Sequence, residues 1–313
     1  MKALVLKTAG GVENLILQEI ATPSIADDQL LVQTRALSIN PVDAKTRKGV
    51  GVYARIKDDP PVILGWDISG VVIDTGEKVS GFKRGDEVFG MVNFPGHGRT
   101  YAELVAVPET HVALKPATIS HEEAAASSLA ALTAWQVLAT HAKIQRGQKV
   151  LIHAAAGGVG HFAVQIARHF GAYVIGTASA ANREFVLSLG ADEHVDYAAQ
   201  RISDVVRDAD IVLDTIGGDN IDVSLEAVKS GGTVIGIVSG RTAGLAEKAA
   251  ARGVNGYPFL VSSNGNDMRQ IADLLAKKII RPSIFHTFTL NTMADAHRQI
   301  ETGKTRGKIV VLP

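Results

Sequence analysis

The sequence predicts an α/β protein in which a β-rich region precedes a doubly wound parallel sheet. Three observations carry this. The apolar run Val150-Leu151-Ile152 enters a glycine-rich turn and then a segment of helical period. Strand and helix patterns alternate from there to residue 237. Residues 1 to about 120, by contrast, hold short strand candidates separated by turn signals.

In chain order, strands are expected at 2–6, 30–37, 69–74, 87–91 and 102–107, punctuated by Gly10-Gly11, Lys48-Gly49 and Arg84-Gly85-Asp86. Ser120 and Glu123 have the spacing of a capping box, so a helix should start at His121. The uncharged stretch 124–140 reads as one buried helix; Ser127, Ser128, Thr133 and Gln136 argue against a membrane span. The alternating series then places strands at 150–152, 173–177, 194–196, 210–214 and 233–237, with intervening helices including 182–189 and 221–228. A helix over 267–277, an extended 283–290, a helix over 293–302 and a strand over 308–312 follow.

The turn Ala154-Ala155-Ala156-Gly157-Gly158-Val159-Gly160 is the first chemical signal. Glycines let a diphosphate approach the backbone, and amides at the start of the next helix face the anion with the helix dipole behind them. Ala155 stands where the commonest dinucleotide fingerprint has its first glycine, so the context of alternating strands and helices carries the assignment. The next strand ends in Gly176-Thr177-Ala178-Ser179, without the acid that would accept ribose hydroxyls, and Arg183 is the next charge. A carboxylate would repel a 2′-phosphate, whereas hydroxyls and a guanidinium would hold one, so NADPH is expected over NADH.

Composition narrows the classes. With 32 basic and 32 acidic residues the formal charge is zero, which disfavours nucleic acid as a partner. No cysteine is present, so disulfides, thiolate catalysis and cysteine-ligated metal sites are excluded. The opening MKALVLKTAG is too short an apolar run for a signal peptide, and a cytoplasmic protein is expected.

Several motifs then converge: Asn40-Pro41-Val42-Asp43, Leu64 to Val72, Phe82 to Val88, Ala154 to Gly160, Leu189-Gly190-Ala191-Asp192 and Arg306 to Val311. Together the chain resembles the medium-chain dehydrogenase/reductase superfamily, in its zinc-free quinone-oxidoreductase and enal-reductase branch. The resemblance implies a GroES-like catalytic domain over 1–123 and 260–313 and a Rossmann NADPH-binding domain over 124–259. It implies hydride transfer to a small-molecule quinone or α,β-unsaturated carbonyl, and a homodimer. The apolar strand 234–238 is compatible with a subunit junction and equally with burial inside one subunit. Where zinc alcohol dehydrogenases carry a cysteine, Gly-His-Glu and a further cysteine, this chain has Asn40, Gly65-Trp66-Asp67 and the neighbourhood of Leu129.

By the same resemblance Asn40 and Tyr53 are candidate donors to the substrate oxygen, and Trp66 a candidate pocket wall. Local chemistry offers each an alternative: an Asx-turn before Pro41, a surface tyrosine and a core indole. Asp67 reads as a structural carboxylate, His153 as a satisfied buried histidine and His97 as a loop residue. Cofactor contacts carried over are Asn40, Thr133, Ala156, Gly157, Gly158, Val159 and Gly160. Thr177, Ser179, Arg183 and Tyr197 are expected near the 2′-phosphate, Thr215, Ile216 and Gly217 beside the adenosine, and Gly236, Ile237, Val238 and Ser239 by the nicotinamide ribose. Arg306 belongs to the same set. An enoyl or alcohol/aldehyde oxidoreductase, or a non-catalytic NADPH-binding sensor or structural protein, are the competing functions.

Overall fold

A computed structural model describes all residues, Met1–Pro313. The chain forms two compact units, one of Met1–Leu132 with Val261–Pro313, the other of Thr133–Leu260.

The first unit opens with a hairpin of β1 (Lys2–Leu6) and β2 (Leu15–Glu19). The long β3 (Gln29–Ile39) leads directly into helix α1 (Pro41–Arg47). Pro41 suits the first helical position, where its missing N–H leaves no bond unmade, and Asp43 meets the positive end of the helix. Strands β4 (Asp67–Thr75), β5 (Glu87–Met91), β6 (Leu104–Pro108) and β7 (Val112–Leu114) follow. Helix α2 (His121–Ala126) begins at the expected capping box: Glu123 N donates to Ser120 Oγ at 3.1 Å and Ser120 N to Glu123 Oε2 at 2.9 Å.

The single helix expected over 124–140 is interrupted. Helix α2 stops at Ala126, α3 runs Leu129–Trp135, and a π-helical turn occupies Gln136–His141. Ser127 Oγ donates back to Glu123 O at 2.8 Å and Ser128 Oγ to Ala124 O at 3.3 Å, which competes with helix continuation. The first unit extends past the expected boundary because Ala125 and Ala126 pack with Ala36 and Val310 in its own core.

In the second unit, β8 (Lys149–Ile152), α4 (Gly160–His169), β9 (Tyr173–Ala178), α5 (Arg183–Ser188), β10 (Glu193–Asp196), the short α6 (Ile202–Val205), β11 (Ala209–Asp214), α7 (Asn220–Ala227), β12 (Val228–Gly236), α8 (Leu245–Ala250) and β13 (Asn255–Pro258) alternate. The six strands pair in parallel in the order β10-β9-β8-β11-β12-β13. Of the apolar stretch 234–238, residues 234–236 end β12 between β11 and β13 and are buried in this unit, whereas Ile237 and Val238 follow the strand and are half-buried. The two edges of this sheet are β10 and β13.

The chain then returns to the first unit through α9 (Gly265–Ala276), β14 (Ile284–Thr289), α10 (Met293–Glu301) and β15 (Lys308–Leu312). The large sheet runs β14-β15-β3-β4-β5-β7, with β6 also paired to β3. No helix is long and apolar enough to cross a membrane.

Candidate active site and dinucleotide cradle

In the second unit the predicted cofactor residues gather at the carboxyl ends of parallel strands, where ligands bind in such sheets. Ala154 has φ 45°, which turns the chain sharply out of β8. Gly157 N returns to Ala154 O at 2.8 Å, while the amides of Ala156, Gly158 and Val159 have no backbone partner. A Cβ on Gly160 would lie 2.3 Å from Ala154 O, so only glycine lets α4 start this close to the turn. Free amides, a tight turn and a ten-residue helix behind them fit a dinucleotide diphosphate.

The turn is supported from beneath by a buried relay. Ser224 Oγ must donate to the carboxylate Asp214 Oδ2, 2.8 Å away, so it accepts from His153 Nε2 at 3.1 Å. His153 Nδ1 then accepts from Thr177 Oγ1 at 3.4 Å, and Ala154 N donates to that same hydroxyl at 3.3 Å. Burial pushes the His153 pKa down to about 4, so it is neutral. Asp214 Oδ1 also receives the amides of Ile216 and Gly217, at 2.8 and 2.7 Å, shaping the turn after β11. Thr215 Oγ1 donates to His153 O at 2.8 Å.

Thr177 is thereby corrected. It was expected to face a 2′-phosphate, but it is fully buried and its hydroxyl serves the loop from within. Ser179 is half-buried, Arg183 exposed and Tyr197 exposed, so these three keep polar groups available. Gly236 is buried, Ile237 and Val238 are half-buried and Ser239 is exposed after β12; Thr133 is buried in α3 and Arg306 is exposed before β15.

In the first unit Asn40 belongs to a buried ionic cluster. Asn40 ends β3, Asp67 begins β4 and Lys308 begins β15. Asn40 Nδ2 donates to Asp67 Oδ2 at 2.9 Å, and Lys308 Nζ donates to Asn40 Oδ1, to Ile39 O at 3.2 Å and to Asp67 Oδ2 at 3.4 Å. Asp67 Oδ1 accepts the Leu129 amide at 2.7 Å. Burial pushes Asp67 up and Lys308 down in pKa, and each opposes the other's shift through its charge. The Asn40 carbonyl oxygen and one of its two Nδ2 hydrogens are therefore taken up by this cluster.

A second chain of bonds adjoins it. Arg47 can only donate, so His297 Nδ1, 3.3 Å from Arg47 Nη1, accepts and its Nε2–H faces Tyr101 OH at 3.0 Å. Tyr101 donates to Asp43 Oδ1 at 2.9 Å, and Asn40 N donates to Asp43 Oδ2 at 2.8 Å. Burial and then the charge of Asp67 raise the Asp43 pKa to about 7. Burial, reinforced by Arg47, lowers that of His297 to about 4.

Trp66 is also corrected. Its exposure is 0%, its Nε1 donates to Gly96 O at 2.8 Å, and Phe94 packs edge-on at 5.5 Å; it anchors the 93–100 loop as a core residue. Tyr53, at the start of a short 3-10 turn, is half-buried. A cavity of about 440 Å³ is bordered by Ile20, Asp59, Pro61, His97 and Arg99, and none of Asn40, Tyr53 and Trp66 lines it. Burial, and secondarily Arg99, lowers the His97 pKa.

The donor set does not fit a zinc ion. An amide, an indole whose nitrogen only donates, and leucine stand at the corresponding positions, and Asp67 is already occupied by Asn40, Lys308 and the Leu129 amide. No group of three or more His, Cys, Asp or Glu residues is placed to hold a metal.

A discontinuous β-rich unit with an inserted dinucleotide-type sheet defines the class. Residues 26–117 match the alcohol dehydrogenase GroES-like domain and residues 189–311 the zinc-binding dehydrogenase family. The chain belongs to the medium-chain dehydrogenase/reductase superfamily. It is 35% identical to 2-methylene-furan-3-one reductase of Solanum lycopersicum, covering 100% of this chain and 79% of that protein. It is also 35% identical to the chloroplastic NADPH-dependent alkenal/one oxidoreductase of Arabidopsis thaliana, covering 100% and 80%. Among solved structures, the quinone oxidoreductase from Coxiella burnetii superposes with a TM-score of 0.95 at 34% identity, over 100% of this chain and 99% of that one.

Proposed function

We propose that this protein is a zinc-independent, NADPH-dependent reductase of quinones or α,β-unsaturated carbonyls. The observation that carries the reading is the Ala154–Gly160 turn, with its unpartnered amides, in a chain whose full length matches reductases of this kind. Bound NADPH supplies a hydride to an acceptor carbon that conjugation has already made electron-poor.

This chain's own residues bind and polarise. The amides of Ala156, Gly158 and Val159 and the N-terminus of α4 attract the diphosphate. Ser179, Arg183 and Tyr197 hold the 2′-phosphate, where no carboxylate ends β9 to repel it. Thr133, Thr215 to Gly217, Gly236 to Ser239 and Arg306 complete the proposed cofactor contacts. Tyr53 and Asn40 donate hydrogen bonds to the acceptor oxygen as negative charge gathers there. A proton from solvent completes the reduction. A cytoplasmic location and a homodimer belong to the same reading, and light scattering on the purified protein measures the latter.

The test is steady-state oxidation of NADPH with a 2-alkenal and with a quinone, before and after chelation. Turnover that survives chelation is expected, and Tyr53→Phe should reduce kcat by about tenfold or more. Failure to turn over either acceptor, or activity that is lost on chelation and restored by zinc, would overturn the reading.

A further inference from the structure

The ammonium of Lys308 is fully enclosed yet has three acceptors: Ile39 O, Asn40 Oδ1 and Asp67 Oδ2. Three acceptors match the three N–H bonds of an ammonium. Gly307 brings Lys308 inward: its φ is 70°, and a Cβ there would lie 2.1 Å from Ser283 O.

This arrangement leaves the Asn40 amide one orientation. Rotated end for end, its NH2 would face an ammonium and its oxygen would face a carboxylate, setting donor against donor and acceptor against acceptor. As it stands, Oδ1 accepts from Lys308 and one Nδ2 hydrogen goes to Asp67. A cation on the carbonyl end also draws charge from the amide and strengthens its remaining N–H as a donor.

We infer that Lys308 is a positioning residue that locks Asn40 as a hydrogen-bond donor toward the reacting oxygen. This rests on the reductase reading, and it deepens it by setting the substrate's polarity. A quinone or enal oxygen only accepts, so it matches a fixed N–H. An alcohol hydroxyl that needs an acceptor finds the amide oxygen already taken by Lys308. The positively charged side chain acts entirely through Asn40 and touches no substrate.

The test compares Lys308→Met, Lys308→Arg, Asn40→Leu and the Lys308→Met/Asn40→Leu pair. In Lys308→Met, kcat for an enal should fall about tenfold, the scale of one hydrogen bond, while KM and the NADPH Kd measured by fluorescence stay within about twofold. Lys308→Arg, which keeps a cationic donor, should recover part of the loss. In the Asn40→Leu background the Lys308→Met substitution should change kcat no further. An unchanged kcat in folded Lys308→Met, or an undiminished Lys308→Met effect without Asn40, overturns the inference. A readout independent of turnover is the Asn40 side-chain amide in ¹H–¹⁵N spectra, assigned by its loss in Asn40→Leu. Its two hydrogens should exchange with solvent at clearly different rates in the wild type, and equal rates overturn the proposal even if Lys308→Met does not fold. An enzyme that turns over neither acceptor but shows the protected amide would sink the reductase reading and leave the locked orientation standing.

Discussion

Ser224 Oγ lies 3.1 Å from His153 Nε2, and the direction of that bond is set by the proton Ser224 must give to Asp214. His153 therefore supports the cofactor turn as a neutral ring. A second proton would have to sit on Nδ1, which accepts from Thr177 Oγ1, and would place a charge in a fully buried site.

The linkage has a definite sign. The unfolded chain protonates histidine near pH 6.5, whereas folded His153 resists until about 4, so its contribution to stability is present above 6.5 and lost as pH falls toward 4. Across that window it amounts to about 3 kcal/mol. His153→Gln should be less stable at pH 7, with the gap to the wild type narrowing by pH 4.5. Urea melts at the two pH values check this, and a constant gap would refute it.

Asp43 works in the opposite direction. Its folded pKa of about 7 exceeds the ordinary 3.8, so its contribution weakens stability as pH rises between these values and then levels off. Asp67→Asn removes a like charge, and Asp43 should then titrate lower. The same substitution leaves Lys308 without its carboxylate and should cost about 3 kcal/mol. Carboxyl ¹³C shifts followed through a pH titration report the first effect. A wild-type Asp43 that titrates at the ordinary acidic pH would contradict the expectation.

Two glycines of the cradle should separate folding from binding. Gly160→Ala forces a Cβ to 2.3 Å from Ala154 O and 2.8 Å from Ala155 Cα, and should cost about 1–3 kcal/mol of stability. At Gly157 the nearest atom to a new Cβ is Ala154 O at 3.1 Å, a contact that a small shift of the turn relieves, so Gly157→Ala should cost less stability than Gly160→Ala while weakening NADPH binding. Calorimetry and fluorescence titration together distinguish the two; equal losses of stability would count against this reading of the turn.

Arg183 is exposed at the start of α5 and is the guanidinium assigned to the 2′-phosphate. Arg183→Ala should raise the NADPH Kd about tenfold, a difference of about 1.4 kcal/mol. NADH affinity should hardly change. Parallel titrations with both nucleotides measure the difference, and a proportional loss for both would remove Arg183 from that role.

The sequence made the interior of the parallel sheet legible because Val150 to Ile152 and Ile211 to Leu213 are buried on both faces and read as apolar runs. It did not reveal β13, whose Asn-Gly-Tyr-Pro is short, partly exposed and poor in strand formers. Thr177 carried a hydroxyl at the expected place, but local pattern could not tell which way it faced. The harder case is Lys308. A lysine beside a glycine before an apolar strand resembles an ordinary solvent-facing residue, and its burial follows from Asn40 and Asp67, more than 200 residues away. The one available clue was that the strand it opens is otherwise wholly apolar.

The pairing of β3 with β15 has a consequence for how the protein is made. Ser38 Oγ donates to Ile309 O across 271 positions of chain, and Ile39 pairs with Ile309 in the same ladder. The entire inserted sheet is translated between these partners and can mature first, since it is a compact unit with its own core. Until the distant strand emerges from the ribosome, residues 37–39 present an unbonded edge, a template for aggregation. Nascent chains halted before residue 308 should therefore be able to capture nucleotide while remaining unable to reduce anything.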